Sequence, residues 1–283
     1  MKVNTVTGPI DSSELGVTLM HEHILIANPT MCRICPDWYE RTPFIAYAVQ
    51  MINRAKKHGL KTIVDMTAFQ LGRDVSVLKE VAEKAEINII ACTGYYWYED
   101  VCLIDKSEEF LAEIIIRDIE KGMEGSGIKP AVIKACTDRW GFSEFNLRYL
   151  KAAAIASKAT GLPISTHTNS RFGKQGIGQL DEFEKMGVDL NNVLIGHMGD
   201  MDDMEYVTAV AERAGFIGLD RFGLDTHYKS NITSVQRAEL AKKLIDTGYL
   251  DKLTFSHDVS CFIDNLDDRR GLGSTWEITK KYD

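Results

Sequence analysis

The chain has 283 residues, of which 45% are hydrophobic, and a formal net charge of -8 at neutral pH. This length allows a large buried core, and the acidic balance argues against a nucleic-acid-binding surface. The amino terminus lacks the apolar core of a signal peptide, and no apolar run approaches the roughly 20 residues of a membrane-spanning helix. We therefore expect a cytoplasmic protein. Because no Pro-, Gly- or Ser-rich linker divides the chain, we predict a single domain over residues 1–283.

The cysteines give little indication of a disulfide framework or a structural metal. Six cysteines are scattered along the chain, which favours free thiols in a reducing compartment. Cys32 and Cys35 have the spacing of half a structural zinc site, but no matching second pair follows. We interpret them as loop thiols.

Short apolar runs alternate along the chain with longer segments of helical periodicity. The predicted strands are 17–20, 61–66, 87–93, 131–135, 163–166, 193–196, 216–219 and 253–256. The predicted helices are 43–58, 74–86, 107–123, 144–161, 176–187, 202–214 and 231–246. Near-continuous apolar runs are typical of parallel strands that are buried on both faces. Eight such alternations predict a closed (β/α)8 TIM barrel of the α/β class.

An open, doubly wound sheet is the alternative architecture. It would bind its ligand at a strand-order switch point, usually beside a glycine-rich first turn. No predicted strand is followed by GxGxxG or a P-loop, and polar residues recur at strand ends around the whole series. These features favour the barrel. Residues 276–283 resemble the start of an eighth helix that then stops, so we expect the last helix to be absent or truncated.

The most informative motif is His21-Glu22-His23, which follows the first apolar run. Residues two apart in a strand point to the same side, so both imidazoles should face one way and Glu22 the other. Two histidines that converge from a strand end form half of a metal site.

Polar residues occupy the same position, where an apolar run meets a loop, in four later units of the chain. These residues are Lys134, His167, His197 and Asp258. With the first two histidines they exceed the ligands of one mononuclear site, which predicts two metal ions. A protonated lysine has no lone pair for a metal. Lys134 would therefore have to bind in deprotonated form or as a carbamate formed with carbon dioxide, whose two oxygens could bridge two cations.

Taken together, these motifs resemble the phosphotriesterase family of the amidohydrolase superfamily. Segments 3–10 and 15–23 are similar to the amino-terminal signature of that family almost residue for residue. The later polar residues fall where the carboxylated lysine, the two further histidines and the final aspartate of the family belong. The resemblance runs from about Val3 to Trp276.

The resemblance implies a binuclear metal centre with a division of labour among its ligands. His21, His23 and Asp258 would hold the more buried metal, His167 and His197 the outer one, and carboxylated Lys134 would bridge them. The expected metal is zinc, with cobalt, manganese and iron as alternatives. A hydroxide shared between the metals would be the nucleophile, and Asp258 would accept its proton. The resemblance also implies a homodimer.

Two positions bear on the substrate. Segment 218–225 resembles the seventh-strand motif of the phosphotriesterase-like lactonases, in which organophosphate-specialised enzymes carry a histidine instead of Arg221. Tyr96 matches a lactonase tyrosine where those enzymes carry tryptophan. We therefore predict a hydrolase that opens acyl-homoserine or aliphatic γ- and δ-lactones and has weak organophosphate triesterase activity. The predicted catalytic residues are Asp258, Tyr96 and Arg221, and the predicted substrate contacts are Tyr96, Trp97, Arg221, Phe222 and Cys261.

Other interpretations stay open. Arg221 could pair with Asp200 or Asp220 for structural reasons alone. The substrate could be a phosphotriester or a phosphorylated sugar lactone, for which Arg269 and Arg270 could bind the phosphate. A catalytically silent barrel that keeps its metal site is the non-enzyme alternative. Metal content measured together with turnover of a chromogenic lactone separates these cases.

Overall fold

The computed structural model describes residues 1–225 and 232–264. The strands are β1 (Lys2–Thr5), β2 (Gly8–Asp11), β3 (Val17–Ile26), β4 (Leu60–Asp65), β5 (Asn88–Gly94), β6 (Val132–Cys136), β7 (Ile164–His167), β8 (Val193–Ile195), β9 (Phe216–Leu219), β10 (Leu253–Phe255) and β11 (Ser260–Ile263). The α-helices are α1 (Pro29–Ile34), α2 (Arg41–Lys56), α3 (Val75–Ala85), α4 (Glu108–Lys121), α5 (Glu144–Thr160), α6 (Gln175–Lys185), α7 (Met204–Arg213) and α8 (Ser234–Asp246). A small antiparallel hairpin of β1 and β2 precedes the main sheet.

The main sheet is a parallel barrel whose last strand is broken. Its strand order is β10-β9-β8-β7-β6-β5-β4-β3-β11, and all of these pairings are parallel. Segments β10 and β11 are separated only by residues 256–259, and they pair with β9 and β3 respectively. Within the break, the amide of Asp258 donates to the carbonyl of His21 at 3.1 Å. The two segments therefore act as one eighth strand, which closes the sheet on the first.

The predicted (β/α)8 barrel is confirmed. Seven of the eight predicted strands match the observed bounds to within one residue. The first is longer than predicted because β3 continues through His21, Glu22 and His23 to Ile26. These polar residues interrupt the apolar pattern, yet all three are buried, and each contacts a polar group from another part of the barrel. All seven predicted helices are present, whereas the hairpin, α1 and β11 were not predicted.

The core lies between the strands and the surrounding helices. Strand residues such as Ile63, Ile89, Ile133 and Ile195 are fully buried, as expected of strands covered on both faces. The removal of such a side chain from water contributes about 1.5–3 kcal/mol. This packing fixes the strands, and with them the side chains at their carboxyl ends, where barrel enzymes carry their sites.

Two expectations concern residues outside the described part of the chain. These are the truncated last helix at 276–283 and the phosphate contacts from Arg269 and Arg270. The single-domain interpretation of residues 1–283 stays a prediction. In the described ranges, no helix is both long enough and apolar enough to cross a membrane.

Candidate metal centre

The carboxyl ends of the barrel strands bring the six predicted metal ligands together. Five of them line one cavity of about 900 Å³. The sixth, His197, lies directly behind His167. All six are buried or nearly so: His21, His23, Lys134, His167, His197 and Asp258. A set of buried polar residues this close together needs an explanation, because each of them loses water on folding.

One half of the site is formed by His21, His23 and Asp258. The Nε2 atoms of His21 and His23 lie 3.6 and 3.3 Å from Oδ1 of Asp258. The two imidazoles therefore face the same side of β3, as the alternation of the strand predicts. On the far side of its ring, Nδ1 of His23 lies 2.9 Å from Oγ1 of Thr67. One nitrogen of this ring is thus held by the protein, and the other is directed at the carboxylate.

The other half is formed by His167 and His197. Nδ1 of His167 and Nε2 of His197 lie 2.9 Å apart and face each other. Their outer nitrogens are held by carboxylates, because Nε2 of His167 lies 2.7 Å from Asp138 and Nδ1 of His197 lies 2.8 Å from Asp220. Metal-binding histidines almost always have this arrangement, in which the second ring nitrogen donates to a carboxylate or carbonyl.

Lys134 reaches the first half from β6. Its Nζ lies 2.8 Å from Nε2 of His21, and its side chain is almost completely buried. No carboxylate within ion-pair distance of Nζ is present among the described residues. This long cationic side chain is therefore buried against an imidazole, which is unusual unless its nitrogen takes part in the chemistry of the site.

Asp220 lies beneath the imidazoles of His21 and His197 and contacts both. This role was not predicted from the sequence. The carboxylate of Asp220 accepts from the backbone amide of His197 at 3.0 Å and lies 3.3 Å from Nδ1 of His21. His21, His197 and Asp220 are close enough to hold an ion themselves. The hydrogen bond to His197 explains this grouping better, because Asp220 contacts the outer Nδ1 atoms of His21 and His197, while their Nε2 atoms face Lys134 and His167. Burial opposes its ionisation, but the contacts with His197 and His21 hold the pKa of Asp220 well below its usual range.

The electrostatics keep His21 and His167 neutral and Asp258 ionised. Burial, reinforced by the nearby Lys134, holds the pKa of His21 well below its ordinary value. Burial also lowers the pKa of His167 to about 3. Burial alone would raise the pKa of Asp258, but Arg221 and the adjacent imidazoles outweigh it and hold that pKa well below its usual range. Neutral imidazole and ionised carboxylate are the forms that bind metals.

Glu22 fixes the broken eighth strand. Its fully buried carboxylate accepts from the hydroxyl of Ser256 at 2.6 Å, from the amide of His257 at 2.7 Å and from the amide of Val259 at 3.1 Å. These residues flank Asp258, whose φ of 53° lies in the left-handed region that non-glycine residues rarely adopt. Glu22 faces away from the two imidazoles, as predicted, and holds the turn that directs Asp258 into the site.

Arg221 connects the site to a buried network of charges. Its Nε donates to Oδ2 of Asp258 at 2.8 Å, and its Nη1 donates to Oδ2 of Asp200 at 2.5 Å. Asp200 also accepts from Arg237 at 2.9 Å, and Arg237 is completely buried. Arg221 therefore pairs with Asp200, one of the two partners considered from the sequence, and with the predicted ligand Asp258. Arg221 also lines the cavity, where it is accessible to a bound substrate.

The predicted substrate contacts divide into two groups. Tyr96 and Trp97 line the cavity, and the ring of Tyr96 packs edge-on against His167 with centroids 5.4 Å apart. Phe222 instead packs against Phe255, at 6.0 Å between centroids, and Cys261 is buried in the core cluster beside β3. Neither of these two side chains lines the described cavity. Cys261 follows Ser260 on β11, and because Ser260 lines the cavity, strand alternation turns Cys261 to the opposite face. Phe222 lies three residues beyond β9, where strand alternation no longer indicates the direction of a side chain.

The residues that hold the ligands could have been predicted by the rule that predicted the ligands, which is a polar residue near the end of a strand. Asp138 follows β6, Asp220 follows β9 and Thr67 follows β4, so each is a polar residue just beyond a strand end. The sequence alone does not show which strand-end residue is a ligand and which one holds a ligand, because both positions need the same side-chain chemistry.

The donor set fits metal ions. Inner ring nitrogens, a carboxylate oxygen and a lysine nitrogen converge from several strands, and the outer ring nitrogens of His23, His167 and His197 already have oxygen partners. His21, His23 and Asp258 offer ligand atoms that all lie within 4.8 Å of one another. This chemistry suits zinc and other first-row divalent metals, which accept imidazole and carboxylate ligands.

Comparison with known proteins agrees with this geometry. The model of the phosphotriesterase family matches residues 1–271. A phosphotriesterase homology protein from Mycobacterium tuberculosis is 37% identical over 277 residues, which cover 94% of this chain and 83% of that protein. An aryldialkylphosphatase from Saccharolobus solfataricus is 36% identical over 276 residues, covering 95% and 86%. An N-acetyltaurine hydrolase from Xenopus tropicalis is 25% identical over 296 residues, covering 91% and 84%.

The chain belongs to the phosphotriesterase family, whose members are metal-dependent hydrolases built on this barrel. The sequence resemblance is thereby confirmed.

Proposed function

We propose that this protein is a binuclear metal-dependent hydrolase that opens lactones. The observation that carries the proposal is the pair of residues beside the ligands, Arg221 and Tyr96. Arg221 donates a hydrogen bond to Asp258, and Tyr96 packs against His167 and lines the same cavity. Both residue types match the lactonase pattern of the sequence.

The proposed ligands divide the metal centre into two halves. His21, His23 and Asp258 would hold one ion, His167 and His197 would hold the other, and carboxylated Lys134 would contribute to both sites. Zinc is the proposed metal, with cobalt, manganese or iron as substitutes. When bound, two such ions lower the pKa of a coordinated water and polarise the oxygen of the substrate that is attacked.

The protein side chains supply orientation and proton transfer. Asp258 is ionised, so it can accept a proton during attack on the lactone carbonyl. Arg221 fixes the orientation of that carboxylate through the 2.8 Å bond from its Nε, and Asp200 fixes Arg221 in turn. The phenol of Tyr96 can donate a hydrogen bond to the ring oxygen of the lactone, which becomes the leaving alkoxide.

The test is a substrate panel on protein purified with zinc and bicarbonate. It compares an acyl-homoserine lactone, a γ-lactone and a δ-lactone with paraoxon, and metal-stripped protein is the blank. We expect about two metal equivalents and a kcat/KM at least tenfold higher for the best lactone, about 1.4 kcal/mol in transition-state binding. An equal or reversed preference would contradict lactone specialisation.

A phosphotriesterase is the second candidate. It is favoured by the relative from Saccharolobus solfataricus that is named aryldialkylphosphatase. A preference for paraoxon in the same panel would support it and would leave Arg221 as a residue that only orients Asp258. Two bound metals without turnover of any panel member would instead support a catalytically silent barrel.

A further inference from the structure

We propose that the substrate carries an anionic group, a carboxylate or a phosphate, away from its lactone ring, and that Arg139 and Arg171 bind this group at the mouth of the cavity. Both arginines line the cavity, and both are exposed. They stand on neighbouring loops, after β6 and after β7. The inference deepens the proposed function, on which it rests, by naming the class of lactone.

The carboxylates that line the cavity form their contacts with groups other than these two arginines. The acidic residues that line it already have partners in the protein. Asp138 binds His167, Asp200 binds Arg221, Asp202 lies 4.0 Å from Lys243, Asp203 binds Lys174 at 2.6 Å, Asp258 binds Arg221, and Asp264 accepts from Trp38 at 3.1 Å. Within residues 1–225 and 232–264, neither Arg139 nor Arg171 has a carboxylate partner for its guanidinium. Two arginines beside a cavity without such partners form a site for an anion.

Arg139 is held in place by aromatic rings and not by an opposite charge. Its Cζ lies 5.5 Å from the ring centroid of Trp97 and 5.8 Å from that of Trp140. Contacts of this kind use the flat faces of the guanidinium and leave the N–H groups in its plane able to donate. Those donors form the fork that matches two oxygens of a carboxylate or phosphate. The stacking therefore orients the cation without neutralising it.

Both loops are tied to the carboxylate that holds His167. The amide of Arg139 donates to Oδ1 of Asp138 at 2.6 Å, and Oδ2 of Asp138 lies 2.7 Å from Nε2 of His167. The amide of Arg171 donates to Asn169 at 3.1 Å, and Asn169 donates to Asp138 at 3.1 Å. The two arginines thus stand on the His167 side of the centre. Because the ligands and both arginines line one cavity, a substituent on a lactone bound at the ligands can extend to the arginines.

The experiment uses lactones matched in ring and chain length that differ only in the end of the side chain. One ends in a carboxylate, one in a phosphate monoester and one in a neutral primary amide. They are compared in the wild type, in Arg139→Gln, in Arg171→Gln and in the double variant. Arg117→Gln is the control, because Arg117 is exposed on the outer face of α4.

We expect the wild type and Arg117→Gln to favour an anionic lactone over the amide by at least about tenfold in kcat/KM, mostly through KM. The double variant should lose this preference and keep its kcat on the amide lactone. The preference should also fall as salt is added, because the arginines are exposed. The better of the two anionic lactones identifies the group. An equal rate for charged and neutral lactones in the wild type, or a preference that survives in the double variant, would overturn the proposal.

Calorimetric binding to metal-stripped protein separates this inference from the proposed function. If no lactone is turned over, but the anionic compounds still bind more tightly than the amide and lose this advantage in the double variant, the lactonase assignment is wrong and the anion site stands. If all lactones are turned over and bound equally, the anion site is wrong and the lactonase assignment stands.

Discussion

The floor of the cavity, where the metal ligands lie, and its mouth, where Arg139 and Arg171 lie, hold their side chains in different ways. On the floor, His167 is almost fully buried, extends from a strand end and is fixed by the 2.7 Å contact with Asp138. At the mouth, Arg139 is exposed on a loop and is held by two indole rings at 5.5 and 5.8 Å. Directional hydrogen bonds between buried groups define a position closely, whereas ring stacking allows more freedom.

This difference predicts how substitutions should behave. A floor residue that loses its partner leaves a buried polar group unsatisfied, which costs about 1–3 kcal/mol and displaces the ligand that it supported. A mouth residue contacts water as well as the substrate, so its loss should change KM more than metal binding. The following predictions test this contrast, from the largest expected effect to the smallest.

Lys134→Ala should have the largest effect, with loss of both metal occupancy and lactone turnover. The side chain is the only bridging candidate among the ligands, and no other described lysine reaches the site. Lys134→Arg should not restore activity, because a guanidinium stays charged and cannot bind a metal. Metal analysis and kinetics on both variants, with Lys84→Ala as an exposed control, measure the effect. Short carboxylic acids with carbon dioxide should partly rescue Lys134→Ala, and full activity of Lys134→Arg would exclude the bridging role.

Asp258→Asn should keep its metals and lower kcat by about 10² to 10⁴, the usual contribution of a general base. Asparagine keeps an oxygen for the metal and for Arg221, but it cannot accept the proton. Because the pKa of Asp258 is held well below its usual value, its own titration should not appear in the wild-type pH–rate profile above about pH 4. Near-normal kcat with full metal content would show that the proton leaves by another route, and Asp200 would be tested next.

Glu22→Gln should weaken metal binding by about 10- to 100-fold, the usual effect of losing a residue that orients a ligand. The amide cannot accept from Ser256, His257 and Val259 as the carboxylate does, so the turn that presents Asp258 loses its support. We also expect a fall of about 1–3 kcal/mol in the free energy of unfolding. Metal titration and chemical denaturation measure the two effects, with Glu120→Gln on the surface as the control. Reduced stability with unchanged metal affinity would limit Glu22 to a structural role.

The floor could be predicted from the sequence, and the mouth could not. The ligands lie in or just beyond the strands, and apolar runs locate seven of the eight strands to within one residue. The break between β10 and β11 was not predicted. The left-handed backbone of Asp258 is supported by hydrogen bonds from the amides of His257 and Val259 to Glu22, which is far away in sequence. The substrate contacts predicted for Phe222 and Cys261 stay predictions; in the structure Phe222 packs against Phe255, and Cys261 lies in the buried cluster beside β3. The packing of Arg139 against Trp97 and Trp140 depends on loops that carry no periodic pattern.

At the mouth, Tyr96→Phe should lower kcat/KM for lactones by about tenfold, or 1.4 kcal/mol, and should leave metal content unchanged. The substitution removes only the hydroxyl that we propose to contact the ring oxygen of the lactone. Paraoxon turnover should change less, because its p-nitrophenolate leaving oxygen is far less basic than an alkoxide and needs less stabilisation by a hydrogen bond. Tyr249→Phe is the control, because Tyr249 lies outside the cavity and bonds to Glu212. An equal loss of kcat/KM for both substrate classes would show that the hydroxyl of Tyr96 does not recognise lactones specifically.

Cys261→Ala should have the smallest catalytic effect of all. The side chain is buried on β11 in the cluster that contains Phe44 and Leu25, and it does not line the described cavity. Replacement by alanine leaves a small void, so the free energy of unfolding should fall by about 1 kcal/mol. KM and kcat for lactones should stay within about twofold of the wild type, because the metal ligands and the cavity wall keep their partners. Steady-state kinetics beside a urea titration tests both statements. A raised KM with unchanged stability would mean that the thiol reaches the substrate, as the sequence analysis predicted. Cys261 would then belong to the residues that bind substrate.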